Sequence, residues 1–339
     1  MTSTLWERLE AASPKPLCAL LCVTSRCHLA CGHCYLPKVR PTNELTLPEI
    51  ERVLDELLAL GVFRLSLTGG EPTLRPDLDA IVSAAWERRF LISLKTSATL
   101  LERADVARLR GLGLAALHVS LYHREAEEHD RFVGIDGAWR RATGALEAFA
   151  GLGGVAVVSM VVMGWNAGAV AAMVPFCAER RWTLTVDPKL VHANDGGDRG
   201  VALGATSEAL AAAMRSVPGS RWRSPPREPG DPVCTAGDGS LYINSDGEVW
   251  LCPVLPLSLG NVRARPLDRI WEESEARKEV LAHRWSDSPP CLACRINRFC
   301  ERCPGDALQE HGDLTRPASA DCRTAAAYAA LWEAGNGEG

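Results

Sequence analysis

No stretch of this 339-residue sequence is apolar for long enough to cross a membrane. The longest runs, such as Val155–Met163, fall far short of the roughly 20 residues that a spanning helix needs. Basic residues are not in excess either. The count is 37 against 42 acidic, a net charge of -5, and this excludes the electrostatic footprint of a nucleic-acid or anionic-membrane binder. The opening MTSTLWERLE lacks the basic start and apolar stretch of a secretory signal. There is no internal repeat and no low-complexity tract. These absences point to a cytoplasmic protein. Cysteine is almost missing from the middle of the chain, where only Cys177 stands between Cys34 and Cys234.

The other cysteines of the thirteen are crowded at the two ends. Five lie at Cys18, Cys22, Cys27, Cys31 and Cys34. Seven lie at Cys234, Cys252, Cys291, Cys294, Cys300, Cys303 and Cys322. A cytoplasmic protein does not need them as disulfides, and clustering under reducing conditions points to metal or iron–sulfur ligation. Cys18 and Cys22 share one face of a strand and read as small core residues, as does Cys177.

With 47% hydrophobic and 23% charged residues, the chain has the composition of a folded protein of about two domains. From about 19 to 190 it alternates strand-like and helix-like segments. Strands are expected at 19–25, 63–69, 91–97, 116–122, 155–163 and 183–190. Helices are expected at 46–60, 77–89, 102–112, 138–152 and 168–180. Thr46 with Glu49 has the form of a capping box, and Gly61 is a natural stop. Six such units give an α/β fold with a parallel sheet, either a partial barrel or an open doubly wound sheet. Chemistry then belongs in the loops at the C-terminal ends of the strands.

The pattern breaks at 194–232, where NDGGDRG and SPPREPGDP flank one short helix at about 206–216. The expected organisation is a core at 1–200, a linker at 201–232, a small Cys-rich domain at 233–325 and a tail at 326–339, frayed after Trp332. A small irregular domain of this kind depends on bound metal for stability.

Cys27, Cys31 and Cys34 follow the first strand in RCHLACGHCYLP. A structural zinc site is normally closed by four ligands. Three thiolates can instead hold a [4Fe–4S] cluster and leave one iron open. The spacing alone leaves zinc and cluster both possible. The order of motifs adds to it: CxxxCxxC after strand one, then TGGEP (68–72) after strand two. In this order the chain resembles the radical S-adenosylmethionine (SAM) superfamily, over nearly its whole length. The resemblance implies a partial (β/α)6 barrel. It implies that Cys27, Cys31 and Cys34 hold a [4Fe–4S] cluster whose open iron is chelated by SAM. One electron, from a flavodoxin- or ferredoxin-type donor, would cleave SAM to methionine and a 5′-deoxyadenosyl radical. The turn at Gly69, Gly70 and Glu71 would bind the methionine amino group, with the glycines allowing close backbone approach. Tyr35 would lie near the adenine. Ser120 matches a SAM-contacting serine, and Ser97 ends strand three in Thr96-Ser97-Ala98 where relatives carry a Ser/Thr-Asn-Gly turn. Tyr122 stands where many relatives have Asp. The histidines at 28, 33, 118, 123 and 129 read as surface or supporting groups rather than ligands.

The C-terminal cysteines read C-x17-C, then C-x2-C-x5-C-x2-C, then x18-C, with Gly247 five positions before Cys252. This resembles the SPASM domain, apart from a final quartet spacing of two residues instead of three. The resemblance implies two auxiliary [4Fe–4S] clusters. Cys291, Cys294, Cys300 and Cys322 would hold the outer one, and Cys234, Cys252 and Cys303 the inner one. Seven thiols leave one ligand position without a cysteine. A pair of zinc sites is the alternative from spacing alone.

The resemblance is strongest to maturases of ribosomally made peptides, through 118–134 and 301–314. An oxidised substrate would pass its electron to an auxiliary cluster. Fewer than twenty residues precede strand one, so a peptide substrate would need a separate leader-binding carrier or direct docking. The alternative is a small-molecule substrate such as an aminosugar or tetrapyrrole precursor. A third reading is a non-catalytic iron–sulfur or zinc scaffold.

Overall fold

The computed structural model describes residues 15–220 and 225–336. The N-terminal segment read above for a signal, part of the linker, and the last three residues of the tail lie outside them.

The alternating segments form six parallel strands with helices between them. The strands are β1 (Cys18–Thr24), β2 (Arg64–Gly69), β3 (Leu91–Thr96), β4 (Leu114–Ser120), β5 (Val155–Val161) and β6 (Thr183–Asp187). The helices are α1 (Leu47–Leu60), α2 (Leu78–Glu87), α3 (Arg103–Gly111), α4 (Ala126–Val133), α5 (Ala138–Gly151), α6 (Val170–Glu179) and α7 (Ser207–Met214). Helix α4 was not among the expected helices, because half of its residues are charged and few are apolar. Helix α1 starts as its sequence dictates. The Glu49 carboxylate accepts the Thr46 N–H at 2.8 Å, and Gly61 closes the helix at φ 95°.

The sheet runs β6-β5-β4-β3-β2-β1 and does not close into a barrel. Beyond β1 it continues into the Cys-rich region. Strand β7 (Ser240–Ile243) pairs parallel to β1, and β8 (Glu248–Trp250) and β9 (Gly260–Asn261) follow antiparallel. The rest of that region is short helices: α8 (Leu267–Glu273), α9 (Glu275–Ala282), α10 (Pro289–Leu292) and α11 (Pro304–His311). The expected frayed tail is instead helical as far as described, within α12 (Ser319–Asn336).

Strand alternation sorts the side chains into two faces. Leu21, Leu65, Leu67, Ile92, Leu94, Leu117, Val119, Val158 and Met160 are buried against Ile50, Leu54, Leu57, Ile81, Val106, Leu146 and Phe149 of the helices. Burying each such side chain is worth about 1.5–3 kcal/mol. The inner face is more polar. Ser66 and Ser93 are in register, with hydroxyls 2.8 Å apart. Lys95 pairs with His118, and Ser120 with Ser159, which pairs with Thr185. A half-barrel lined this way encloses a cavity rather than a packed core.

Candidate active site

The cavity has a volume of about 580 Å³ and opens at the C-terminal ends of the strands. It lies within the range of small-molecule sites. Its lining includes Cys27, Cys31, Cys34 and Tyr35 from the loop after β1, and Gly69, Gly70 and Glu71 after β2. Ser97 follows β3, Ser120 ends β4, and Cys303 comes from the C-terminal region. The residues singled out near the N-terminal thiols are thus together on one cavity.

The thiol loop is held by its backbone. Arg75 donates to Val23 O at 2.6 Å and Leu45 O at 2.7 Å, and Arg40 donates to Ser25 O at 2.7 Å. Arg199 donates to Leu36 O at 2.7 Å, and Asn194 N–H to Tyr35 O at 2.8 Å. The glycine turn is stitched to the same loop. Gly70 N–H donates to Thr24 O and Glu71 N–H to Arg26 O, both at 2.8 Å. A Cβ on Gly69 would lie 2.3 Å from Thr24 O, and one on Gly70 would lie 2.3 Å from Arg26 O. Close approach, not a special φ, requires glycine at both positions.

Glu71 is almost wholly buried. Its carboxylate accepts from Thr73 N (3.2 Å), Thr73 Oγ1 (2.8 Å), Thr96 Oγ1 (2.5 Å), Ser97 N (2.8 Å) and Ser97 Oγ (2.6 Å). Five donors exceed the roughly four lone-pair sites of a carboxylate. Its first effect is therefore to fasten the end of β3 to the glycine turn, and an incoming ammonium would share it.

The thiols fall into three groups. Cys31 lies within electrostatic range of Cys27 and Cys34. Cys300 has Cys322 and Cys291 as neighbours, and Cys322 has Cys291 and Cys294. Cys252 has Cys234 as a neighbour, and both of these and Cys303 are within range of Lys189. Among the described residues, no three His, Cys, Asp or Glu side chains converge tightly enough for a single metal ion. Burial pushes the Cys31, Cys300 and Cys303 thiols up to about 12. Ligation must therefore displace protons.

Tyr35 packs between the groups. Burial raises its hydroxyl pKa, and the Cys22, Cys34 and Cys252 sulfurs lie within electrostatic range. Tyr122 contacts the thiol loop through a hydrogen bond with His33 at 3.2 Å, and His33 stacks on Phe132 at 5.5 Å. Burial lowers His33, His118 and His129 to about 4. His28 bonds Thr99 at 2.7 Å.

Several lining groups had no motif to mark them. Lys95 and Asp187 are reachable from the cavity yet enclosed by protein, which lowers the lysine pKa and raises the aspartate. Lys189 lies two residues beyond Asp187. Its ammonium is 2.7 Å from Asp321 and 3.2 Å from Asp306. These attractions outweigh burial and raise its pKa. The sole sequence hint was the position of Asp306, three residues after Cys303.

A radical SAM superfamily model matches residues 21–174, and an iron–sulfur cluster-binding SPASM model matches 234–304. The chain carries a radical SAM domain and a SPASM domain. With these domains go SAM, a [4Fe–4S] cluster and auxiliary iron–sulfur clusters. The thiol grouping and the glycine cradle fit that set. The radical SAM chain is 29% identical over 342 residues to the PqqA peptide cyclase of Ruegeria pomeroyi, covering 93% of this chain and 88% of the relative. It is 25% identical over 321 residues to the AdoMet-dependent heme synthase of Methanosarcina barkeri, covering 86% and 92%. Streptococcus suis SuiB, solved bound to the precursor peptide SuiA, superposes with a TM-score of 0.70 at 17% identity. That match covers 95% of this chain and 82% of SuiB, and it shows the fold. Among the described residues, no helix is long and apolar enough to cross a membrane.

Proposed function

We propose that this radical SAM enzyme oxidatively modifies a ribosomally made peptide. Cys27, Cys31 and Cys34 hold the [4Fe–4S] cluster at which SAM binds. Cys291, Cys294, Cys300 and Cys322 hold the outer auxiliary cluster, and Cys234, Cys252 and Cys303 ligate the inner one. The observation that carries this reading is that the first thiol trio and Cys303 line one cavity. A substrate in that cavity lies between the site of radical formation and an electron acceptor.

When bound, the first cluster supplies reductive cleavage of SAM to a 5′-deoxyadenosyl radical. The chain's own residues position and shield that event. Gly69 and Gly70 bring the cofactor turn against the thiol loop, and Glu71 locks Ser97 beside it. Ser120 and Tyr35 line the same space, and the half-barrel keeps water away from a reactive intermediate. The peptide class is supported by the relative that is a PqqA peptide cyclase. Delivery by a separate leader-binding carrier and reduction by a flavodoxin- or ferredoxin-type donor complete the proposal.

A second reading has its own support. The Lys95 ammonium projects into the cavity and makes no ion pair among the described residues, which suits an acidic small molecule. A heme synthase among the relatives makes a tetrapyrrole precursor the candidate.

The test is anaerobic reconstitution with iron and sulfide, then SAM and a strong reductant, with iron and 5′-deoxyadenosine assayed together. About twelve irons per chain and deoxyadenosine formation are expected. Bound zinc with no deoxyadenosine would replace this reading with a scaffold. Mass change in a short peptide encoded beside the gene supports the peptide substrate. Conversion of a tetrapyrrole precursor alone would replace it.

A further inference from the structure

We propose that the Asp306 carboxylate is the fourth protein ligand of the inner auxiliary cluster, completing a site to which Cys234, Cys252 and Cys303 give three thiols. The inference rests on the SPASM reading of those cysteines.

Asp306 belongs to the first turn of α11, and Cys303 caps that helix. Asp306 follows Cys303 by three residues, so carboxylate and thiol share one turn. That turn is pressed onto the segment after Cys252. A Cβ on Gly305 would lie 2.3 Å from Val254 O, so no other residue lets the helix come so close. Cys252 pairs with Leu255 across this segment, and Asp306 lies within electrostatic range of the Cys252 sulfur. Cys234 is the neighbour of Cys252. The carboxylate therefore stands beside two of the three thiols, Cys303 and Cys252.

Its hydrogen bonding is incomplete. Asp306 is 1% exposed. Oδ1 accepts the His192 N–H at 3.2 Å. Oδ2 has no hydrogen bond, although the Lys189 ammonium stands 3.2 Å away as an ion pair. A buried acceptor left without a hydrogen bond is costly, and more so when charged. An iron bound at Oδ2 removes that cost, while Lys189 balances the added negative charge. Asp321 offers no such oxygen. Its Oδ1 accepts from Lys189 at 2.7 Å and its Oδ2 from Cys303 N–H at 2.8 Å. The rival is His192, whose Nδ1 is also buried without a partner, 3.7 Å from Asp306 Oδ1. Asp306 is preferred because it shares a helical turn with Cys303.

The experiment uses the full chain with Cys27, Cys31 and Cys34 changed to alanine, so that the open iron of the first cluster is absent. After reconstitution, about eight irons are expected. The reduced protein is treated with ¹³C-cyanide and examined by pulsed EPR. With Asp306 intact, no ¹³C coupling is expected. In Asp306→Ala, either coupling appears or one iron is lost to a [3Fe–4S] signal, while Asp306→Cys restores four-iron clusters insensitive to cyanide. Coupling with Asp306 intact would show an open iron and overturn the proposal. So would an Asp306→Ala spectrum unchanged from its parent, with His192→Ala producing the change instead. Where the alanine variant fails to fold, His192→Ala without coupling excludes the rival, and coupling in His192→Ala overturns the proposal. Absence of iron, with zinc in its place, would overturn the SPASM reading itself.

Discussion

Two regions of the molecule each bring three thiols together, and they differ in what stands on the fourth side. Cys27, Cys31 and Cys34 face the cavity and a glycine turn whose carboxylate is already engaged by Thr73, Thr96 and Ser97. Cys234, Cys252 and Cys303 all lie within electrostatic range of Lys189, which pairs with Asp306, a buried carboxylate with one oxygen lacking a hydrogen bond. The first arrangement leaves room for a ligand from outside. In the second, Asp306 is the proposed donor from within. Counting cysteines does not tell an open corner from a closed one; the neighbouring oxygens do.

The largest effect should come from breaking the first trio. Cys31→Ala is expected to abolish 5′-deoxyadenosine formation and to lower iron from about twelve to about eight per chain. Retained SAM cleavage would show that the two trios are not functionally distinct. The mirror change, Cys252→Ala, should remove product while leaving some uncoupled SAM cleavage. Cys294→Ala should act alike through the outer group. Undiminished product from either variant, after metal analysis shows its cluster missing, would remove the electron-acceptor role.

A smaller effect sharpens the first trio alone. Gly70→Ala must push the turn away from Arg26 O, and overpacking of this kind costs about 1–3 kcal/mol. SAM affinity, measured by calorimetry, should fall by about tenfold or more with iron content unchanged. Unaltered affinity would separate the glycine turn from SAM binding.

The smallest effect concerns pH. His129 is 1% exposed, and its Nδ1 accepts the Tyr122 N–H at 3.3 Å, which requires the neutral ring. Burial lowers it from 6.5 to about 4, with Asp130 opposing and His123 assisting. The folded value lies below the unfolded one. The contribution to stability is therefore complete above pH 6.5 and is lost as pH falls toward 4. In His129→Gln, the fall of melting temperature across that interval should be shallower than in the parent. Parallel curves would show that the ring does not titrate there.

Much of the fold was legible because period and punctuation agreed. The alternation of apolar runs gave the six strands within a few residues, and Thr46, Glu49 and Gly61 marked α1. Helix α4 was missed because AEEHDRFV is dominated by polar and charged residues, and its burial rests mainly on His129 and Val133. The pairing of β7 with β1 was missed for a different reason. Register between segments more than 200 residues apart leaves no local trace. The thiols and the glycine turn announced themselves by spacing. Lys95, Asp187, Lys189 and Asp306 did not, since a charged residue reads as surface until the fold encloses it.

The shared sheet has a consequence for modularity. Strand β7 satisfies the outer edge of β1 from Cys18 to Leu21. A core cut free of its auxiliary region would present that edge as bare backbone donors and acceptors, a template for self-association. The two regions are therefore not beads on a string. The half-barrel depends on its neighbour for a finished border, and a graft that exchanged the auxiliary region would have to carry a matching strand with it.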